Sequence, residues 1–329
     1  MGSAFGALAS LRVAAYRRGL LARARLAGPV VSVGNLGVGG SGKTPVVARV
    51  AAILRDSGLP VAVLSRGYGG SFRGEALVVS DGATVLASAV EAGDEPVMLA
   101  RALPGVVVAV GPCRDVVGRR VEERFGRRVH VLDDGFQHLR VERDLDLLCL
   151  DVRDLDDRPM PAGRLRERPS AAARADLVLL TRPEAASEGE LQALESRLGP
   201  ERCFRVGRRV AGWATLEGAP AAPPARAFLL AAVARPERFE ADVAGCGVGV
   251  VGRSFFPDHH RFRGHELASV ASRARSAGAQ AIVTTAKDAV RLETPCVLAP
   301  PVLVMGIAAD IADEARLRAR LLSAVGRGA

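Results

Sequence analysis

Residues 37–44, Gly-Val-Gly-Gly-Ser-Gly-Lys-Thr, satisfy the pattern G-x-x-x-x-G-K-[ST]. That pattern commits a chain to a strand, a glycine loop and a helix, in that order. Both flanks agree with it. Residues 29–33 upstream read as a short buried strand, and residues 45–54 downstream read as a helix. Pro45 falls in the first turn of that helix, where a missing N–H costs nothing. Gly37, Gly39, Gly40 and Gly42, with Ser41 among them, let backbone N–H groups turn toward an anion that the helix dipole favours. Lys43 is placed to reach the β- and γ-phosphates of a nucleotide, and the Thr44 hydroxyl to hold Mg²⁺. The chain is therefore expected to bind a nucleoside triphosphate.

Lysine usage singles out the same position. Of 45 lysines and arginines, only Lys43 and Lys287 are lysines. A composition that uses arginine for generic charge keeps lysine where a compact ammonium is required. By that logic Lys287, within Thr284-Thr285-Ala286-Lys287-Asp288, is a second candidate.

The length of 329 residues suits two modest domains. Apolar content of 49% with 25% charged residues is that of a soluble globular chain. Cys113, Cys149, Cys203, Cys246 and Cys296 form no C-x-x-C pair, which argues for reduced thiols and against a zinc site or a disulfide framework. A net charge of +9 calls for an anionic partner. At 4% aromatics, stacking platforms for nucleic acid are scarce, so an anionic lipid or phosphorylated substrate is the expected partner and nucleic acid is not.

Residues 1–28 carry Arg12, Arg17, Arg18, Arg23 and Arg25 among Phe5, Leu8, Leu11, Tyr16, Leu20 and Leu21, with no acidic residue before Asp56. The apolar runs are too short to span a bilayer; a basic helix lying on an anionic membrane surface fits them, and a solvated helix packed on the domain is the other reading, since Arg12 and Arg23 fall on the side of Phe5 and Tyr16.

Downstream, the strand at 60–64 ends in Ser65-Arg66-Gly67-Tyr68-Gly69-Gly70. Ligands sit off the carboxyl ends of strands in an open parallel sheet, so Arg66 is expected beside the phosphates. Gly93-Asp94-Glu95-Pro96 opens a helix. Asp94 there reads either as its N-cap or as a carboxylate that accepts a proton from a substrate hydroxyl. The strand at 106–110 leads to another arginine-bearing loop with Arg114. Residues 129–132 form a hydrophobic strand ending in Asp133-Asp134, the Walker B arrangement for Mg²⁺. Strands and helices alternate in this way to about residue 205, so the fold class expected is α/β: a P-loop NTPase-like, mainly parallel sheet covered by helices. The boundaries expected are a phosphate-loop domain at 29–205, a linker at 206–224 with room for short strands, and a smaller α/β domain at 225–329. Asp258-His259-His260 lies in a loop of that second domain, with no third metal ligand at a useful spacing.

Together these motifs resemble the tetraacyldisaccharide 4'-kinase family. The likeness rests on Val33-Gly34-Asn35, Gly42-Lys43-Thr44-Pro45, Leu64-Ser65-Arg66-Gly67-Tyr68-Gly69 and Gly93-Asp94-Glu95-Pro96. It continues through Asp133-Asp134-Gly135-Phe136-Gln137-His138, Pro161-Ala162-Gly163, Leu165-Arg166-Glu167, Asp258-His259-His260 and Thr285-Ala286-Lys287-Asp288. Arg164 and Ala286 depart from the usual pattern, and the arm is shorter than usual. The resemblance implies ATP-dependent phosphorylation of the 4'-hydroxyl of a tetraacyldisaccharide 1-phosphate, with Mg²⁺, by a monomer on the cytoplasmic face of the inner membrane. Asp94 would act on the acceptor hydroxyl with His259 as its partner, and Lys43 on the transferred phosphate. Asp133, Asp134 and Glu167 would serve the metal with Thr44. Arg66, Glu95, Arg114, Gln137 and His138 would face the substrate. A membrane-associated ATPase of the partitioning or metal-chaperone type is the alternative, but it would need a second lysine at the position of Val38. A GTPase would need an N-K-x-D motif, which neither lysine provides.

Overall fold

The run Val30-Val31-Ser32-Val33-Gly34-Asn35 is buried at every position. A strand covered on both faces needs such an unbroken run, and a parallel sheet between helices is where one is found. The computed structural model describes residues 11, 13–16, 18–38, 42–154, 157–292 and 298–326. Gly39, Gly40 and Ser41 of the phosphate loop lie outside the described residues, as do residues 1–10, Arg12 and Arg17 of the arm. The chain divides into two units, Met1–Arg208 with Ala309–Ala329 and Arg209–Ala308.

In the first unit the strands are β1 (Val30–Asn35), β2 (Val61–Ser65), β3 (Leu77–Ser80), β4 (Val107–Val110), β5 (Val129–Asp133), β6 (Leu145–Asp151), β7 (Leu177–Thr181) and the start of β8 (Cys203–Thr215). Their order is β8-β7-β6-β1-β5-β2-β4-β3, so the strand feeding the phosphate loop stands near the middle. All the pairings are parallel except that of the edge strand β3 with β4. The helices between them are α1 (Lys43–Asp56), α2 (Ala89–Ala92), α3 (Asp94–Ala102), α4 (Arg114–Phe125) and α5 (Glu188–Leu198). In α1, Val46, Val47, Val50, Ala51, Ile53 and Leu54 are buried, a stripe at helical spacing that seats the helix on the sheet.

The second unit has β9 (Pro220–Ala221), β10 (Arg226–Ala231), β11 (Gly249–Phe255), β12 (Ala281–Thr285) and most of β13 (Val302–Ile311). The order β11-β10-β12-β13 is parallel throughout. Alternation along β10 fills two cores: Ala227, Leu229 and Ala231 pack with Phe239 and Val243 of α6 (Pro236–Gly245). Phe228 and Leu230 pack with Val270, Ala271 and Ala274 of α7 (Gly264–Ser276). A short α8 (Ala286–Ala289) follows β12.

Two features differ from the organisation expected at 206–224 and 225–329. The proposed linker is largely strand, since β8 runs through Thr215 and then pairs with β9. Glycine, alanine and proline give it the composition of a connector, and the ladder supplies the order that its side chains do not. The last helix, α9 (Glu314–Gly326), belongs with the first unit, not with 225–308. Leu317, Leu321 and Val325 are buried one turn apart, and Glu314 pairs with Arg49 of α1 at 2.6 Å.

The glycine-rich loop after β2 lies directly on the α2–α3 junction. Ser71 N donates to Val90 O at 2.8 Å and Phe72 N to Glu91 O at 3.1 Å. A Cβ on Gly70 would come within 2.3 Å of Glu91 O, and one on Gly93 within 2.4 Å of Tyr68 O. Gly93 also has φ 91° and ψ 158°, a region open only to glycine. Two backbones therefore touch with no side chain between them, which fixes the Arg66 loop against the start of α3. Gly93→Ala adds both strain and a clash, so we expect it to cost at least about 2 kcal/mol. That corresponds to roughly 4–8 °C in thermal denaturation. A melting temperature equal to wild type would show that this contact yields freely.

Candidate active site

Because β5 pairs in parallel with both β1 and β2, the carboxyl ends of these three strands lie side by side. Their last residues are Asn35, Ser65 and Asp133. Lys43 opens α1 just beyond β1. Its N-cap, Gly42, has φ 74°; among the described residues no side chain caps the helix, and no acid occupies its first turn. A helix start with uncapped N–H groups and no competing carboxylate is built to take an anion.

Lys43 Nζ donates to Asn35 Oδ1 at 2.9 Å and forms an ion pair with Asp134. Asn35, fully buried, also donates from Nδ2 to Gly37 O at 2.7 Å. Gln137 Nε2 donates to Asn35 O at 2.8 Å. Arg166 Nη1 reaches Asp134 Oδ2 at 2.7 Å and Gln137 Oε1 at 3.3 Å. The segment bearing Arg166 is strapped to the loop entrance: Val38 N donates to Arg164 O at 2.8 Å and Arg166 N to Leu36 O at 2.7 Å. Thus Gly37, Lys43, Asp134 and Gln137 are gathered by Asn35 and Arg166, two residues not among the expected site residues. Both lay inside motifs quoted above, but a buried asparagine and one arginine among many carry no chemical signature of their own.

The adjacent carboxylates differ in environment. Asp133 is buried, and burial raises its pKa, while Ser65 Oγ donating to Oδ2 at 2.8 Å opposes that shift. For Asp134 burial also acts upward, but the charges and hydrogen bonds of Lys43 and Arg166 outweigh it and hold the carboxyl below the ordinary range. Arg114 opens α4, not a loop, and is buried with Nη2 donating to Asp133 O at 3.3 Å. Burial weakens its grip on its proton, against the pull of Asp133 and Asp134.

Glu167 is placed elsewhere. Its carboxylate is taken by Arg174, with Nη2 to Oε1 at 2.7 Å, and that guanidinium lies 3.7 Å from the centroid of the Phe136 ring. Among the described residues no three His, Cys, Asp or Glu side chains converge as a metal-holding group. Among the described residues Glu167 is therefore not gathered with Asp133 and Asp134 into such a group as expected: the half-buried guanidinium of Arg174 pairs with it. Asp94 is half-buried as the first residue of α3. It is not the N-cap; Gly93 is, and among the described residues no side chain caps this helix. Arg66 and Glu95 are exposed, and His138 is half-buried.

His259 belongs to the second unit, as do Lys287 and Asp258. Lys287 Nζ donates to Asp258 Oδ1 at 2.9 Å and lies 3.2 Å from His259 Nε2. His260 instead meets Glu266 at 2.9 Å and stacks on Phe256. The two histidines are thus turned to different partners.

The family profile described as "LpxK: Tetraacyldisaccharide-1-P 4'-kinase" matches residues 1–326. A tetraacyldisaccharide 4'-kinase of Anaeromyxobacter dehalogenans (strain 2CP-C) is 46% identical over 300 residues, covering 88% of this chain and 79% of its own. One from Geobacter metallireducens is 44% identical over 289 residues, covering 86% and 84%. The crystal structure of an "apo" form LpxK from Aquifex aeolicus in complex with ATP superposes with a TM-score of 0.80. It is 30% identical and covers 98% of this chain and 97% of that one.

The depressed pKa of Asp134 has a measurable sign. Its ionised form is favoured by folding, so its contribution is whole above about pH 4 and is lost as pH falls through the lowered folded value. The stability difference between wild type and Asp134→Asn should be constant near neutrality and shrink on acidification below about pH 4. Denaturant titrations at several pH values read it. A difference that ignores pH would mean that the Lys43 and Arg166 pairs contribute nothing.

Proposed function

This chain belongs to the tetraacyldisaccharide-1-P 4'-kinase family, and from that premise we propose how its own residues carry out the transfer. The reaction moves the γ-phosphoryl group of ATP to the 4'-hydroxyl of the lipid disaccharide. A bond forms from the 4'-oxygen to the γ-phosphorus, and the bond from that phosphorus to the β,γ-bridging oxygen breaks, releasing ADP. The hydroxyl proton goes to a carboxylate. Such transfers need mainly positioning and charge neutralisation. The observation that carries the reading is Lys43 at the uncapped start of α1, held by Asn35 and Asp134 beside buried Asp133.

In this reading Lys43 leaves Asp134 for the γ-phosphate, which is the stronger anion. The oxygen donors Thr44, Asp133 and Asp134 suit Mg²⁺. Asp133 is the better direct ligand, since its burial disfavours a bare charge whereas Asp134 already holds two cations. When bound, Mg²⁺ neutralises charge on the β- and γ-phosphates. Glu167 holds Arg174, and Arg166 keeps Asp134 in place. Arg66, Arg114, Gln137, His138 and Glu95 are assigned to the substrate side. Asp94, half-buried as the first residue of α3, takes the hydroxyl proton, and His259 is assigned to the same step.

Residues 1–28 are proposed to rest on an anionic membrane surface from the cytoplasmic side. Leu11, Leu20 and Leu21 are exposed among arginines, and among the described residues no helix is long and apolar enough to cross a membrane. Deleting residues 1–24 should abolish salt-sensitive co-sedimentation with anionic vesicles; unchanged binding would mean that the arm packs on the protein.

The activity test is transfer from labelled ATP to the disaccharide acceptor. Asp94→Asn and His259→Ala should each lower kcat by roughly 100- to 10,000-fold. ATP affinity should barely move, and the double variant should be far less harmful than the product of the singles. If Asp94→Asn lowered only the melting temperature, Asp94 would be structural.

A further inference from the structure

Lys287 and Arg291 enclose His259 from both sides of its ring. Lys287 Nζ is 3.2 Å from Nε2, and Arg291 Nη2 is 3.2 Å from Nδ1. Both cations are donors with no acceptor capacity, and a neutral imidazole offers one lone pair. Only one of the two contacts is therefore a hydrogen bond.

The anchoring of each cation decides which. Arg291 is fixed. Its side chain is 4% exposed, it pairs with fully buried Asp288 at 3.0 Å, and Nη1 also reaches Ala232 O at 3.3 Å. Asp288 is pinned in turn by Thr285 Oγ1 at 2.8 Å and Ala232 N at 3.0 Å. His259 is tied to the same strand end, its N donating to Ala232 O at 3.3 Å, in a backbone conformation with φ 64°. Lys287 has more freedom. Its side chain is 21% exposed on a flexible stem, and Asp258 accepts from it at 2.9 Å, a better bond than the ring nitrogen gives. Asp258 Oδ2 also lies 3.9 Å from Nε2, which favours a proton on that nitrogen.

We propose that Arg291, anchored by buried Asp288, fixes His259 in the tautomer with its proton on Nε2. His259 then enters the reaction as a hydrogen-bond donor, and Arg291 is a positioning residue for it. The hydroxyl proton ends on the Asp94 carboxylate and does not pass to the imidazole. Lys287, bonded to Asp258, keeps that carboxylate beside the ring. The catalytic consequence rests on the assignment of His259 to the acceptor step; the tautomer does not.

The two parts are separable by experiment. Imidazole ¹⁵N–¹H correlation spectra of the full-length labelled protein, with His259 assigned by its loss in His259→Asn, read the tautomer at a pH where the ring is neutral. A protonated Nε2 with a bare Nδ1 is expected; a protonated Nδ1 overturns the proposal. In Arg291→Met the tautomer should become mixed, and kcat should fall roughly 100-fold with KM for ATP unchanged. In Arg291→Lys, which keeps a donor-only cation, the wild-type tautomer should persist with most of the activity. If Arg291→Met fails to fold, the wild-type and Arg291→Lys spectra still decide the question. An unchanged tautomer in a folded Arg291→Met would overturn the role of Arg291. Full turnover in His259→Asn would instead remove His259 from the acceptor step and leave the tautomer standing.

Discussion

One ammonium ties the phosphate loop to the sheet. Lys43 Nζ sits between the side chains of Asn35, the last residue of β1, and Asp134, just beyond β5. Asn35 in turn holds Gly37 O, so the strand end, the loop entrance and the helix start share one polar centre. An arginine could not replace this lysine: its planar fork is larger and would need several acceptors arranged in its plane. In a chain that uses arginine for all its side-chain cations but Lys43 and Lys287, this is one place where a point charge on a thin stem is required.

The same centre gives two neighbouring carboxylates opposite environments. Asp133 ends β5 in the sheet interior, where desolvation disfavours its charge. Asp134, one residue on and at φ 53°, turns out to meet Lys43 and Arg166. On the proposed reading Asp133, buried without a full counter-charge, would take the divalent cation, whereas Asp134, shared between two cations, organises the loop. Arg166 reaches that position because its own backbone is paired with Leu36 and Val38 at the loop entrance.

Much of this was legible in the residues. The phosphate loop, the strand ending in Asp133 and the alternation of strands and helices each follow from local patterns, and the parallel sheet with β1 near its middle agrees with them. What the residues did not reveal depends on long-range partners. Nothing local marks Arg174 as the group that takes Glu167, or Asn35 as the hub of the loop. Gly93 displaced Asp94 as helix cap because a backbone contact with Tyr68 left room only for glycine. Residues 206–224 looked like a linker because strand order there comes from pairing rather than from apolar side chains, and α9 returned to the first unit through a stripe at Leu317, Leu321 and Val325 of the kind any amphipathic helix carries.

The most direct test of this account is Lys43→Arg, assayed for phosphoryl transfer from ATP to the disaccharide acceptor with the fold checked by thermal denaturation. If a compact ammonium between Asn35 and Asp134 is what the site requires, the variant keeps a folded structure and loses transfer by roughly 100-fold or more, as for other misplaced catalytic groups. Near-normal turnover in the arginine variant would contradict it.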